Sequence, residues 1–411
     1  MEQYLKKLKE CKKIVAALEP KIKNSLLTQM AQALRDNVKQ IIEENKKDLI
    51  EGKNNALNSA LLDRLLLDES RVESMAKALD EIATLKEPVG RVLEGWVVPS
   101  GIRIEKVSIP IGVIAIIYES RPNVTSDTAA LCLKSGNVCV LKGGKEANFS
   151  NNVIARILQN VLVANNLPKE IISLLPDKTR EGVAKLIKMD KYIDLVIPRG
   201  GEALIKYISE NSSVPVVKHD KGLCHLYIDK EAKIEDAIKI AINAKCQRTG
   251  VCNAIETLLV HQEIAQHILP LLKQEFDKQK TELRGCEKTQ MIISCFKASS
   301  KDWDTEYLDN ILSIKIVEDT DTAIEHISEF GSGHSDSIIT ENYSTAEYFL
   351  NSVDSACVYA NASTRFTDGG EFGFGAEVGI STNKLHARGP MGINDLTTYK
   401  FKIYGKGHAR D

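Results

Sequence analysis

Residues 109–147 read IPIGVIAIIYESRPNVTSDTAALCLKSGNVCVLKGGKEA, and this stretch decides the fold. Ile111 to Tyr118 is an unbroken apolar run, the pattern of a strand buried on both faces of a parallel sheet. A loop, Glu119 to Asn123, follows. Thr125 and Ser126 are placed to cap a helix that Gly136 can end. Val138 to Lys142 is a second apolar run, closed by Gly143-Gly144. Strand, helix and strand in this order make a βαβ unit, with parallel strands and a right-handed crossover.

The same rhythm continues downstream. A helical pattern covers about 149–165, and Ile171 to Leu175 and Ile193 to Ile197 are further short apolar strands. A second βα series begins after Asp229. It has a helix over about 233–247, a turn through Arg248 to Cys252, a strand from Ala254 to Val260 and a helix over 263–279. A strand at 311–317, a helix at 320–330 and a strand at 336–340 complete it. Upstream, residues 3–85 read as helix, with apolar positions at Ile14, Leu18, Ile22, Leu26, Leu27, Met30 and Leu34. Residues 91–108 alternate weakly and predict a β-hairpin, 368–379 are a glycine-rich loop, and Thr397 to Tyr404 alternates like an edge strand.

The expectation is an α/β protein of two βα domains with a small β element. Residues 1–230 form the first domain and 231–365 the second, and 366–411 return to the first and end in the C-terminal strand. Composition agrees: 43% of the 411 residues are hydrophobic and 27% charged, which excludes a disordered chain. A net charge of −2 lacks the basic excess of a nucleic-acid binder. Nine cysteines at irregular spacing, with no C-x-x-C pair, point to reduced thiols rather than structural zinc or a disulfide framework. The charged N-terminus lacks a secretory h-region, and no apolar run approaches the ~20 residues that span a bilayer. A cytoplasmic protein with no membrane or nucleic-acid partner is expected.

The usual nucleotide signatures are missing. No G-x-G-x-x-G follows a strand, and Gly143-Gly144-Lys145 is followed by Glu146 where a Walker A loop has Ser or Thr. The chemically informative stretch is Lys245-Cys246-Gln247-Arg248-Thr249-Gly250-Val251-Cys252-Asn253-Ala254. It sets the Cys252 thiol at a helix-to-strand turn near Lys245 and Arg248, and cationic neighbours favour the reactive thiolate. By position alone Cys252 is as well explained as a small buried hydrophobe. Cys246 competes for the role from within the helix.

Four stretches carry a resemblance: residues 109–147 above, GLCHLYID from Gly222, QRTGVCNAIETLLV from Gln247, and RFTDGGEFGFGAEVGISTNKLHARGPMG from Arg365. Together they span almost the whole chain. The sequence resembles the γ-glutamyl phosphate reductases (glutamate-5-semialdehyde dehydrogenases) of the aldehyde dehydrogenase superfamily. The resemblance implies that fold, with the hairpin and C-terminal strand serving oligomerisation. It implies NADPH-dependent reduction of L-glutamyl 5-phosphate to L-glutamate 5-semialdehyde in proline biosynthesis, without a metal. A homo-oligomer and a glutamate 5-kinase as supplier of substrate are implied as partners.

The resemblance also assigns residues. Cys252 is the nucleophile. Lys142, ending a strand, contacts the adenosine ribose. NAD-linked relatives hold the ribose 2′-hydroxyl with a carboxylate three positions on, where this chain has Lys145, whose ammonium attracts a 2′-phosphate. Arg199, Gly200 and Gly201 open a helix whose N–H groups can face the pyrophosphate. Glu306 matches a glutamate on the nicotinamide ribose. Ser120 falls where the superfamily has its oxyanion-hole asparagine, with Asn123 close by as a substitute. Arg121 and Arg365 are the cations for the substrate's phosphate and amino-acid head, and Ser332, His334 and Ser335 are candidate hydrogen-bonders. Residues 217–222 contain no glutamate to activate hydrolytic water, and His219 is the acid–base candidate there.

Overall fold

The computed structural model describes residues 1–217 and 221–410. The chain forms two compact units. The first comprises Met1–Lys218, Gly373–Gly379 and Met391–Asp411, and the second His219–Phe372 and Ile380–Pro390.

The first unit begins with helices α1 (Glu2–Ala16), α2 (Pro20–Asp36), α3 (Val38–Asn54), α4 (Ser59–Leu65) and α5 (Glu69–Thr84). The single apolar stripe expected across Ile14 to Leu34 is interrupted. Pro20 starts a new helix, which resets the helical phase. Leu5, Leu8, Cys11 and Val15 are buried on α1 and Leu26, Leu27, Met30 and Leu34 on α2, while Ile14 and Ile22 are exposed. Strands β1 (Val92–Val97) and β2 (Arg103–Pro110) form the expected hairpin. β3 (Val113–Tyr118), α6 (Asn123–Lys134), β4 (Val138–Lys142), α7 (Asn148–Ala164), β5 (Ile172–Leu174), α8 (Arg180–Leu186), β6 (Leu195–Arg199) and α9 (Glu202–Asn211) complete the alternation. The four strands β3 to β6 pair in parallel in the order β5-β4-β3-β6. Every residue of β3 is buried, as its unbroken apolar run requires. Helix α6 starts at Asn123, ahead of the expected caps. The Thr125 hydroxyl instead meets the Tyr118 hydroxyl at 2.6 Å and donates to Asn151 at 3.0 Å.

The second unit runs β7 (Cys224–Ile228), α10 (Ile234–Cys246), β8 (Ile255–His261), α11 (Gln262–Lys278), β9 (Glu282–Gly285), α12 (Glu287–Gln290), β10 (Phe296–Lys297), β11 (Ile311–Val317), α13 (Thr320–Phe330), β12 (Ser335–Ile339), α14 (Tyr343–Ser352) and β13 (Cys357–Ala360). Its seven strands are all parallel, in the order β10-β9-β11-β8-β7-β12-β13. Strand β7 pairs with β8 and β12, so the second series starts ahead of Asp229 and the units divide at 218/219 rather than at 230/231. The chain leaves this unit after Phe372, returns for Ile380–Pro390 through β14 (Gly379–Ser381) and β15 (Gly389–Met391), and ends in β16 (Thr397–Tyr404). β16 pairs antiparallel with β2, making the three-stranded sheet β1-β2-β16.

Candidate active site

In the first unit the candidate residues gather at the carboxyl edge of the sheet. Lys142 ends β4, Ser120 and Arg121 follow β3, and Arg199 ends β6. Strand order reverses at β3, so β4 and β6 flank it, and the carboxyl ends of β3 and β6 mark the crevice where ligands of open parallel sheets usually sit. A cavity of about 270 Å³ lies beside the ends of β4 and β5, lined by Leu141 to Lys145 and by Lys178, with Glu51 among its polar groups. A β-carbon at Gly143 or Gly144 would meet the Asn151 amide or the Glu146 carboxylate, which would have to move aside. Burial lowers the Lys142 ammonium, opposed by the Glu146 and Glu119 carboxylates.

At the other end of the crevice the Gly201 N–H donates to Glu119 Oε2 at 2.9 Å, so a carboxylate meets the start of α9. The Ser120 hydroxyl donates to Glu146 Oε1 at 2.8 Å, and an Asn123 amide N–H donates to Asp127 Oδ2 at 2.9 Å. Burial lifts the Asp127 carboxyl to about 6, against the hydrogen bonds from Asn123 and Ser126 and the attraction of Arg199. Arg121 is exposed, and its main-chain N–H donates to the Glu119 carbonyl at 2.6 Å.

In the second unit the candidates gather at the opposite, amino edge of the sheet. Cys252 lies on the turn between α10 and β8, Glu306 precedes β11, and Ser332 and His334 precede β12. Cys252 is half-buried and forms no disulfide. Its main chain is wedged against Gly222, where a β-carbon would lie 2.5 Å from the Cys252 Cα and 2.7 Å from its carbonyl carbon. The Gly222 N–H donates to Glu306 Oε1 at 2.9 Å. The Cys224 thiol donates to the Cys252 carbonyl at 3.1 Å, and His334 Nδ1 lies 3.6 Å from that same sulfur. Asn253 Nδ2 donates to the Thr367 carbonyl at 2.8 Å while the Thr364 hydroxyl donates to the Asn253 carbonyl at 2.7 Å, joining the turn to the segment that carries Arg365.

Arg365 Nε donates to Gln247 Oε1 at 2.9 Å. Burial, and the Arg248 charge after it, pull Arg365 below the ordinary arginine range, while Cys252 draws it back. Arg365 is therefore a cation in the surroundings of the Cys252 turn. Lys245, expected in that role, is fully buried and bonded to Glu256 Oε2 at 2.6 Å. The competing Cys246 ends α10 beside the Thr281 hydroxyl, and burial raises its thiol.

The candidate hydrogen-bonders before β12 already have partners within the protein. His334 and Ser335 are buried and bonded to each other at 2.8 Å, so neither presents a hydrogen bond to solvent. Ser332 holds the chain beside Gly222, its hydroxyl accepting from the Leu223 N–H at 3.0 Å. His219 lies outside the described residues. Sequence reasoning passed over Gly222, Asn253, Glu256 and Lys178. The lysine just beyond β5 was the readable signal for Lys178. The buried partners Glu256 and Lys245 are separated by a turn and leave no periodic trace.

The family model described as the aldehyde dehydrogenase family matches residues 2–294. The chain is 66% identical to the gamma-glutamyl phosphate reductase of Sulfurimonas denitrificans over 100% of both chains, and 66% identical to that of Nautilia profundicola, again over 100% of both. A solved gamma-glutamyl phosphate reductase from Thermotoga maritima superposes with a TM-score of 0.98 at 45% identity, covering 100% of this chain and 99% of that one. The fold and site thus define an oxidoreductase built on the aldehyde dehydrogenase plan. The chain belongs to the aldehyde dehydrogenase family and, within it, to the gamma-glutamyl phosphate reductases. Membership implies a nicotinamide cofactor. The carboxyl-edge cradle fits one: Lys142, Lys145 and Lys178 line a cavity whose wall includes the backbone of Gly143 and Gly144, beside the point where strand order reverses.

Proposed function

We propose that this chain reduces L-glutamyl 5-phosphate to L-glutamate 5-semialdehyde and phosphate with NADPH, as a step of proline biosynthesis. The relatives' names support the substrate. The observation that carries the chemistry is the Cys252 thiol, half-exposed on a turn fixed at its main chain, with Arg365 in its surroundings.

The Cys252 thiolate attacks the acyl-phosphate carbonyl. The bond from that carbon to the phosphate oxygen breaks, phosphate leaves with the electron pair, and a Cys252 thioester remains. A nicotinamide cofactor held by Lys142, Lys145 and Arg199 would supply the hydride that reduces this thioester. The thiohemiacetal on Cys252 then collapses, the C–S bond breaks, and the aldehyde leaves with the thiolate restored. The Cys252 N–H is the oxyanion donor. Ser120 and Asn123 are proposed as a second donor, and each must first exchange its carboxylate partner. Arg365 and Arg121 take the anionic groups of the substrate, and Ser332 and His334 add hydrogen bonds around it.

Lys142, Arg199, Gly200, Gly201 and Glu306 hold the cofactor, and Lys145 takes its 2′-phosphate. Residues 91–108 and β16 serve oligomerisation with further copies of the chain. The protein works in the cytoplasm and receives its unstable substrate from a glutamate 5-kinase.

The test runs the reaction backwards. Thioester hydrolysis needs a positioned general base, which typically contributes ~10²–10⁴-fold, and residues 217–222 contain no glutamate to act as one. Oxidation of glutamate 5-semialdehyde with NADP should therefore depend on inorganic phosphate, falling by about 10²-fold or more without it. NADPH formation is followed while phosphate is titrated from zero. Sustained turnover in phosphate-free buffer would replace this reading with that of an aldehyde oxidiser.

A further inference from the structure

The buried pair beneath the nucleophile turn is used by no step above. Lys245 closes α10 and Glu256 belongs to β8, so the two stems of the Cys252 turn are bonded to each other at 2.6 Å with neither side chain exposed. An interior ion pair is a poor source of stability, because desolvation opposes the attraction. Here it has a second connection. Glu256 Oε1 accepts the Leu308 N–H at 3.2 Å, and Leu308 has a left-handed backbone with φ 51°. Two residues earlier, Glu306 accepts the Gly222 N–H, and Gly222 is the residue wedged against Cys252. Gly250, on the turn itself, faces the Leu308 carbonyl.

We infer that Lys245 and Glu256 are positioning residues for Cys252. They bind the stems of its turn together and, through Leu308, Glu306 and Gly222, press a strut against its main chain. The Cys252 N–H and thiol are held in register by this internal bracing. The inference rests on Cys252 being the nucleophile, and it adds two residues that touch neither substrate nor cofactor.

The test compares two double variants that both remove the buried charges. Lys245→Met/Glu256→Gln keeps a carbonyl acceptor for the Leu308 N–H, and Lys245→Met/Glu256→Leu removes it. Three readouts are taken: amide exchange at Gly222, the pH profile of iodoacetamide alkylation at Cys252, and kcat against KM. The Gln variant should stay close to wild type in all three. The Leu variant should exchange faster at Gly222, show a displaced alkylation profile, and lose about 10²-fold in kcat with KM little changed, the scale of a misplaced reacting group. A merely structural pair would change thermal stability in both variants and leave these readouts alike, which would overturn the inference. Should a double variant not fold, Glu306→Ala leaves the buried pair intact and cuts the strut below it. It must also accelerate Gly222 exchange and displace the alkylation profile, and unchanged values overturn the inference. Exchange and alkylation are read without substrate, so their failure is distinct from failure of the acyl-phosphate reading.

Discussion

The two sheets present their candidate residues at opposite ends. In the first unit Lys142, Ser120 and Arg199 lie at or beyond the carboxyl ends of their strands, whereas in the second Gly222, Cys252, Glu306 and Ser332 precede theirs. Carboxyl ends lead into helix N-termini, whose N–H groups and positive dipole ends favour anions. The amino edge has the reverse polarity: α10 runs toward Cys252 with its C-terminal end, which does nothing for a thiolate. The second unit must find its positive charge elsewhere, in Arg365, and its rigidity in Gly222 and the buried pair. The first edge is lined by cations, while the edge that carries Cys252 is braced from beneath.

The largest expected effect breaks the braced edge. Cys252→Ala should lower turnover by more than ~10⁴-fold while circular dichroism and NADPH binding stay unchanged. Cys246→Ala should remain active, and the opposite pattern would move the nucleophile into α10.

A smaller effect probes the open edge. Lys145→Glu should weaken NADPH relative to NADH by about 30- to 150-fold, since a charged contact is lost and a repulsion gained. Kd values from nicotinamide fluorescence for both cofactors measure it. Equal discrimination in variant and wild type would take Lys145 out of the cofactor site.

The smallest effect is one of stability and has a sign set by pH. Burial holds the Asp127 carboxyl near 6, above its unfolded value of 3.8. Its contribution is fully present below the unfolded value and is lost as pH rises through about 6. Asp127→Asn should thus stabilise the protein at pH 8 by about 1–2 kcal/mol, discounted because the side chain keeps some solvent contact, and give no advantage at pH 3.5. Thermal melts at both pH values check this. A gain that is the same at both would mean the carboxylate carries no ionisation penalty.

How much the sequence reveals follows the same division. Continuous apolar runs mark β3 and β4, because strands buried on both faces have little freedom in composition, whereas β8 and β11 carry Glu256, Thr257, Ser313 and Lys315 among their apolar residues. β9 and β10 are too short and too polar to stand out, and β7, though fully buried, was left out of its own series. Lys142 and Lys145 are assigned by the family resemblance, and the structure sets both on the lining of a cavity at the end of β4. The support of Cys252 was not legible. Its partners come from the residues before β7, the segment before β11 and the stretch after β13, and only tertiary pairing brings them together. Lys245 reads as a neighbour of the thiol from its place along the chain, and adjacency does not show that a side chain turns inward to Glu256.

The closeness of Gly222 to Cys252 bears on attempts to transplant this chemistry. A designer who moved the GVCNA turn onto another α/β scaffold would carry the thiol but leave behind the glycine that shapes its surroundings, which enters from a different strand. Within this protein, Gly222→Ala adds one methyl group and alters no charge, yet the new carbon has nowhere to go unless the nucleophile's own backbone retreats. The shape of this turn is set by two residues far apart along the chain, and a library that varies the cysteine loop alone leaves one of them out.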